Sequence, residues 1–228
     1  MSPFFTIFVL VVVAAIAIVG WVAAGRRREA LAAFAARSGF SWFGGKDPLE
    51  IEVRYGAFSA LARGHSRHAS NVFSGSRNGR QIVGFDYRYK TGSGKNQSTH
   101  CLSGALVGTV YLFPHLRVRP ENFLDKVAEF VGMDDIDFES AEFSRKFFVK
   151  AEDRKFAFDL FHARAMEYLL AQPTPYTLEF LGEVMLITND RTWEPAGFAA
   201  AVVHVEGLLD LTPEYLRREL KEDKPNLT

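Results

Sequence analysis

An uncharged run of 21 residues, from Phe4 to Ala24, constrains this chain more than any other feature. As a helix rising 1.5 Å per residue, it would extend about 30 Å, the thickness of the hydrocarbon core of a bilayer. Its valine, isoleucine, leucine and phenylalanine side chains each favour insertion by roughly 0.3–0.6 kcal/mol. Trp21 stands near the end of the run, where an indole suits the headgroup interface. The sequence therefore predicts a transmembrane anchor over residues 1–25.

A cleaved signal peptide is the alternative interpretation, because positions 23–25 hold only small residues. Three features oppose it. No lysine or arginine precedes Phe4, the apolar run exceeds the usual length of about 7–15 residues, and the cluster Arg26, Arg27 and Arg28 follows at once. Clustered positive charge resists translocation, so the arginines predict a single pass through the inner (plasma) membrane, with the N-terminus outside and the C-terminal domain cytoplasmic. They would also meet anionic lipid headgroups.

The rest of the chain has the composition of a globular protein, and its one cysteine, Cys101, excludes an intramolecular disulfide. We predict a juxtamembrane helix over residues 26–39, on which Leu31, Phe34 and Ala35 share a face. A soluble α+β domain follows over residues 40–212, and then a charged C-terminal helix and tail over residues 213–228.

Charge is divided unevenly along the chain, although the formal net charge is zero. Residues 26–120 hold 15 lysines and arginines against 5 acidic residues, whereas residues 121–228 hold 12 against 22. Such a split is typical of a basic surface for a membrane or a nucleic acid. The alternative, which we favour, is that the two halves fold together and partly neutralise each other.

The soluble domain begins with strand signals. Residues 69–74 and 81–89 alternate, and Asn78-Gly79 between them is typical of a tight hairpin. In the second strand, the predicted core face is formed by Val83, Phe85, Tyr87 and Tyr89. Residues 98–112 predict a third strand, extended by residues 116–118.

Helix signals enter after Pro120. We predict, in order, a helix over 120–131, a strand over 147–150, a helix over 153–171 broken near His162, a hairpin of 176–181 and 184–188 around Gly182-Glu183, and helices over 195–209 and 213–220. Together the elements predict an α+β fold: an N-terminal transmembrane helix followed by a mainly antiparallel sheet with packed helices.

The loop from Lys90 to Lys95 superficially resembles a phosphate-binding loop. Tyr89 stands where that motif needs glycine, Asn96 stands where it needs serine or threonine, and a strand rather than a helix follows. We interpret it as a solvated hairpin loop that retains two lysines able to contact an anion. A second basic group, Arg63, His65, Arg67 and His68, is either an anion contact or a solvated basic loop. Because the anchor holds it near the bilayer, lipid is favoured over nucleic acid as its ligand.

No catalytic or metal motif is found. The six histidines lack the spacing of a zinc site, the acidic run 134–139 lacks the glycine and closing glutamate of a calcium loop, and no serine stands in a nucleophile elbow. His204 lies on the apolar face of a helix and is predicted to be packed. We therefore expect no metal, no cofactor and no nucleic-acid partner.

Two stretches carry a resemblance. One joins Asn71-Val72-Phe73-Ser74-Gly75 to Phe85-Asp86-Tyr87-Arg88-Tyr89, and the other joins Asp137-Phe138-Glu139-Ser140 to Asp153-Arg154-Lys155-Phe156-Ala157. Together they resemble uncharacterised bacterial single-pass membrane proteins carrying a domain of unknown function. The resemblance implies a bacterial source and an anchored layout, and it supplies no catalytic residue.

These observations predict a membrane-anchored cytoplasmic domain acting as a non-catalytic interaction or ligand-sensing module. Its partners would be the bilayer, through the N-terminal helix, and a protein at the membrane. The alternatives are a membrane-tethered enzyme of hydrolase type and an anionic-lipid surface binder.

Overall fold

The fold is known from a computed structural model, which describes residues 3–121 and 134–222. Its first element, α1 (Pro3–Arg37), is one uninterrupted helix of 35 residues. The part from Phe4 to Ala24 is exposed, whereas Leu31 and Ala35 are fully buried in the domain core. Gly39, at φ +71°, follows the last turn and lets the chain leave the helix. The predicted anchor and the predicted juxtamembrane helix are thus one element.

The strands form a single, mainly antiparallel sheet. Their bounds are β1 (Ser41–Gly44), β2 (His65–Arg77), β3 (Arg80–Thr91), β4 (Ser98–Pro120), β5 (Asp134–Asp135), β6 (Phe147–Ala151) and β7 (Thr177–Asn189). The order is β1-β2-β3-β4-β6-β5, with β7 pairing along the other edge of β4. At 23 residues, β4 is long enough to pair with β3 through its first half and with β6 through its second.

Helices cover both faces of this sheet. They are α2 (Ile51–Arg54), α3 (Ser59–Ala62), α4 (Ala141–Lys146), α5 (Arg154–Leu160), α6 (Ala163–Ala171), α7 (Pro195–Asp210) and α8 (Glu214–Glu222). The larger core holds the end of α1, residues of α4 to α8 and one face of the sheet. The smaller core holds α2 and α3 against the opposite face. The predicted α+β class is confirmed.

The alternation in β3 led to the prediction of one core face, which is incomplete. Phe85, Tyr87 and Tyr89 do point into the smaller core. Ile82 on the other face is also buried, because α1 and α7 pack there in the larger core. The hairpin between β2 and β3 is confirmed: Asn78 and Gly79 both have positive φ, +50° and +73°, as the tight turn requires.

The predicted hairpin around Gly182-Glu183 is wrong, because β7 runs straight through it. β7 pairs with β4 from Asn189 opposite Ser103 to Leu178 opposite Val118. Gly182, at φ +57°, pairs with Phe113 where the register shifts, so this glycine accommodates a bulge rather than a turn. The great length of β4 gives both predicted segments one continuous partner.

The helix predictions fare better. The break near His162 separates α5 from α6, and Pro195 begins α7 as expected. Pro120 is the last residue of β4 rather than the start of a helix, and the remainder of the helix predicted there lies outside the described residues. Leu216 and Leu220 of α8 are buried in the larger core.

Ion pairs join the basic and acidic halves of the chain. Arg63 pairs with Asp190 at 2.7 Å, Arg77 with Glu206 at 3.2 Å, and Arg80 with Asp210 at 3.8 Å. This supports the interpretation that the two halves fold together and neutralise part of each other's charge.

His204 in α7 is packed, as predicted, with 5% of its surface exposed. The ring of Tyr168 lies 5.6 Å from it and that of Tyr176 lies 5.3 Å from it, centroid to centroid. Its Nδ1 atom has no hydrogen-bond partner within the described part of the chain. Burial lowers the pKa of His204 from 6.5 to about 4.

This histidine should make the domain acid-sensitive. Below about pH 6.5 the unfolded chain protonates His204 while the folded chain does not, so stability is lost as the pH falls towards about 4. We expect a loss of about 3 kcal/mol over that window, and a His204→Leu variant should lack it. Urea unfolding at about pH 7 and about pH 4.5 measures the difference. The exposed His68→Leu is the matched control, and an unaltered pH dependence in His204→Leu would contradict the assignment.

Candidate interaction site at the junction of anchor and domain

Helix α1 is bonded to the sheet through a partly buried ion pair. The Arg27 guanidinium donates from Nε to Asp86 Oδ2 at 2.8 Å and from Nη2 to Asp86 Oδ1 at 2.7 Å. Only 22% of the Arg27 side chain and 11% of the Asp86 side chain are exposed. This two-bond geometry fixes orientation as well as distance, because the guanidinium and the carboxylate are both planar.

Further hydrogen bonds hold both partners. Asn71 Nδ2 and Ser103 Oγ donate to the Asp86 carboxylate at 2.8 and 2.6 Å. Arg27 Nη2 also donates to the backbone oxygen of Trp193, and the Trp193 amide donates to Ser103 Oγ. The network thus joins α1 to β2, β3, β4 and the segment before α7.

Beyond Arg27, the next residues on this face of α1 make apolar contacts. Leu31 and Ala35 are fully buried, and the Phe34 ring lies 5.6 Å from that of Phe73. A polar contact at Arg27 is therefore followed by apolar contacts along the same helix face, and tilting or rotating α1 would break several of them.

The contacts of α1 also establish which end of the sheet lies nearest the apolar segment. Arg27 meets Asp86, Phe34 meets Phe73 opposite Gly84, and Arg37 lines a cavity with Ile82. As α1 continues from Arg27 to Arg37, its contacts on β3 shift from Asp86 to Ile82, that is, towards the N-terminus of the strand. The other end of β3, with Arg88 and Lys90, therefore lies on the side of the predicted membrane.

Part of the predicted basic group gathers at this end. His65 pairs with Lys90 and His68 with Arg88 in the register of β2 and β3. His68 and Arg88 are exposed, and neither makes an ion pair with the described residues. Sequence reasoning missed Arg88, although its place two residues from Lys90 put both on one face of a strand.

Other members of that group are engaged elsewhere in the domain. Arg63 pairs with Asp190, and Arg67 Nε donates to Glu52 Oε1 at 3.0 Å. His65 Nε2 lies 3.0 Å from the backbone oxygen of Gly92. The role of Arg63, His65, Arg67 and His68 as anion contacts stays a prediction.

Lys95 lies in an exposed loop between β3 and β4, within a short 3-10 helix, Gly94–Asn96. A strand follows directly, as the comparison with phosphate-binding loops anticipated. Arg26 and Arg28, unlike Arg27, are exposed. Their contact with headgroups, and that of Lys90 and Lys95, stays a prediction, whereas Arg27 has a structural role that the sequence did not reveal.

A buried carboxylate was also missed. Glu179 in β7 is 1% exposed and accepts hydrogen bonds from the Ser59 hydroxyl at 2.7 Å and its amide at 3.0 Å. His115 Nε2 lies 2.8 Å from the same carboxylate. A nucleophilic serine needs an adjacent general base, most often a histidine, to take its proton. Here the Ser59 hydroxyl is directed at the carboxylate itself, so the cluster fastens α3 to the sheet.

Within residues 3–121 and 134–222, no group of three or more histidine, cysteine, aspartate or glutamate side chains is arranged to hold a metal ion. One helix, counted from Phe4 to Arg37, is long and apolar enough to cross a membrane. These residues therefore bring together a candidate membrane anchor, a hydrogen-bonded junction and a basic end.

The fold is similar to that of a known bacterial protein. The crystal structure of the mycobacterial trehalose monomycolate transport factor A, TtfA, superimposes with a TM-score of 0.61. The alignment covers 83% of this chain and 96% of that chain, at 14% sequence identity. At that identity the likeness establishes a shared fold and nothing beyond it. No protein-family model matches the sequence, and neither does any curated protein.

Proposed function

We propose that this protein is a membrane-anchored, non-catalytic interaction module that presents its α+β domain to a protein partner in a fixed orientation. The proposal rests on α1, a single helix that runs from the apolar segment into the domain core. It is held there by the ion pair of Arg27 and Asp86. A flexible linker would suffice to keep a domain near a membrane. A docked helix instead restricts it to one orientation.

The structural likeness suggests the class of partner. TtfA is a transport factor, and we propose a transport system embedded in the same membrane as the partner here. The positive charge of Arg26, Arg27 and Arg28 supports placing the domain on the cytoplasmic side of an inner membrane. Tethering confines the domain to the membrane surface and raises its effective concentration there.

The test compares two insertions of seven residues between Ala24 and Gly25, upstream of the junction. One is helical, rich in alanine with a glutamate and lysine pair, and the other is glycine and serine. Both insertions have the same number of residues. Seven residues come close to two full helical turns, so the helical insertion nearly preserves the rotational position of the domain. Full-length, tagged protein is cross-linked in its native membranes, purified and analysed by mass spectrometry.

We expect a discrete partner with the unaltered chain, and at least fivefold less of it with the flexible insertion than with the helical one. Equal recovery with the two insertions would contradict a role for fixed orientation. Absence of any partner above background from the unaltered chain would contradict the interaction module itself.

A second candidate function, contact with anionic lipid headgroups, is favoured by the basic end of β2 and β3. Arg88 and Lys90 lie on the same face of β3 as Asp86, which contacts α1, and they lie at the end of the strand nearer the apolar segment. Near a negatively charged surface each such residue contributes about 1 kcal/mol. The contact would also hold the domain against the bilayer.

Cys101 is a native reporter for this contact, because it is exposed and pairs with Arg88 across β3 and β4. In nanodiscs containing phosphatidylglycerol, a neutral maleimide should label Cys101 severalfold more slowly than in phosphatidylcholine alone. High salt should remove the difference, since it screens surface charge. The double variant Arg88→Gln/Lys90→Gln should show no difference at low salt. Equal rates for the unaltered chain in both lipids would exclude the contact.

A further inference from the structure

A half-open cavity of about 330 Å³ lies at the far end of α1, between that helix, β2, β3 and α7. Its inner wall consists of the buried side chains of Phe73, Ile82 and Phe198, and Phe34 and Phe40 flank it. This volume is at the lower end of the range for small-molecule sites, about 300–1,000 Å³.

The aromatic wall is a built feature of the fold. Phe73 stacks on Phe40 with centroids 5.8 Å apart and meets Phe198 edge to face at 5.1 Å. A Cβ atom at Gly84 would lie 2.1 Å from the Phe73 ring, and one at Gly75 would lie 2.2 Å from the Phe40 ring. The two glycines therefore permit the rings to take the positions that leave the cavity open.

The mouth of the cavity carries positive charge. Arg37 stands there, exposed, and makes no ion pair with the residues that the structure describes. Arg77 also lines the mouth but is bonded to Glu206 at 3.2 Å, and Asn78 shares that carboxylate. Arg37 is thus the cation at the mouth that remains available to a ligand.

We infer that this cavity binds a fatty acid, with the hydrocarbon chain against the aromatic wall and the carboxylate at Arg37. Burying the chain removes apolar surface from water, and the guanidinium supplies a charge-assisted hydrogen bond to the carboxylate. An uncharged apolar ligand would leave Arg37 unused, and a compact anion would leave the aromatic wall uncovered.

The position of the cavity favours a single-chain ligand. Arg37 follows Ala24 by 13 residues, which is about 20 Å along the helix. The ligand must therefore leave the bilayer to reach the mouth. One acyl chain binds membranes reversibly, whereas two chains hold a lipid much more firmly. This ligand site is independent of the protein partner proposed above.

The test uses full-length protein in nanodiscs and dodecanoate bearing a photoreactive diazirine at the end of its chain. After irradiation, labelled peptides are located by mass spectrometry. Two variants fill the cavity from opposite sides, Ala199→Trp from α7 and Ser76→Trp from β2. Arg37→Gln removes the cation, and Arg54→Gln on α2 is its matched control, exposed and remote. Thermal unfolding verifies that each variant is folded.

We expect label on peptides containing Phe34, Phe40 or Phe198, competed by unlabelled dodecanoate. Either tryptophan variant should abolish it, Arg37→Gln should reduce it about tenfold at limiting ligand, and Arg54→Gln should leave it unchanged. Dodecanol should compete poorly. Label confined to the segment from Phe4 to Ala24, or unaffected by both tryptophan variants, would show partition into the bilayer only and overturn the inference. So would equal labelling of Arg37→Gln and the unaltered chain.

Discussion

Replacing Arg27 by alanine should destabilise the folded domain by about 3 kcal/mol, because it leaves the buried carboxylate of Asp86 without its cation. Asp86 would retain the donors on Asn71 and Ser103 but lose the only cation bonded to it among the described residues. The free energy of unfolding, measured with urea in a mild detergent, gives the size of the loss. Arg28→Ala, one position along and exposed, should cost less than about 0.5 kcal/mol.

The geometry of the pair can be separated from its charge. Arg27→Lys keeps the charge but cannot donate two parallel bonds to one carboxylate, so we expect an intermediate loss. In a double-mutant cycle, Arg27→Ala and Asp86→Ala should be strongly non-additive. Additive losses would mean that the two side chains contribute separately to stability. They would contradict the inference that the pair of Arg27 and Asp86 holds α1 on the sheet.

Phe73→Ala should cost about 3–5 kcal/mol, the other large effect that we expect. Phe73 is 1% exposed, and its ring contacts those of Phe34, Phe40 and Phe198, which belong to α1, the turn after it and α7. Its removal leaves a void where these elements meet. Because the Phe34 ring of α1 loses its contact with Phe73, the variant should also weaken the packing of the domain against α1.

Phe158→Ala is the matched control for this prediction, since Phe158 is 41% exposed. The same chemical change there should cost about 1 kcal/mol or less. Urea unfolding of both variants measures the contrast. A loss below about 1.5 kcal/mol in Phe73→Ala would show that this ring is not the centre of the packing between α1 and the domain.

Local signals in the sequence were sufficient for much of the fold. The length and polarity of α1, the turn at Asn78-Gly79 and the proline that begins α7 are each determined by neighbouring residues. The continuous strand β7 was not predictable in this way. Gly182 gives the same local signal for a turn as for a bulge, and only the length of β4 decides between them.

The contact between Arg27 and Asp86 could not be predicted from the sequence for a related reason. Arg27 and Asp86 are 59 positions apart, and an arginine in a cluster after an apolar run is explained by topology alone. The available clue was Asp86 itself, an acidic residue on the same face of its strand as the apolar Ile82. A carboxylate in such a place requires a partner. The identity of that partner depends on how α1 crosses the sheet.

The proposed rigid connection between the apolar segment of α1 and the domain can be tested directly by pulsed electron paramagnetic resonance. One spin label goes on the native Cys101, which is exposed, and the other on Ala15→Cys within the apolar segment, in full-length protein in nanodiscs. A docked, continuous α1 predicts one narrow distance distribution, which the flexible seven-residue insertion should broaden. A broad distribution in the unaltered chain, no narrower than that of the insertion, would show that the domain moves freely on its anchor and would contradict the proposed function.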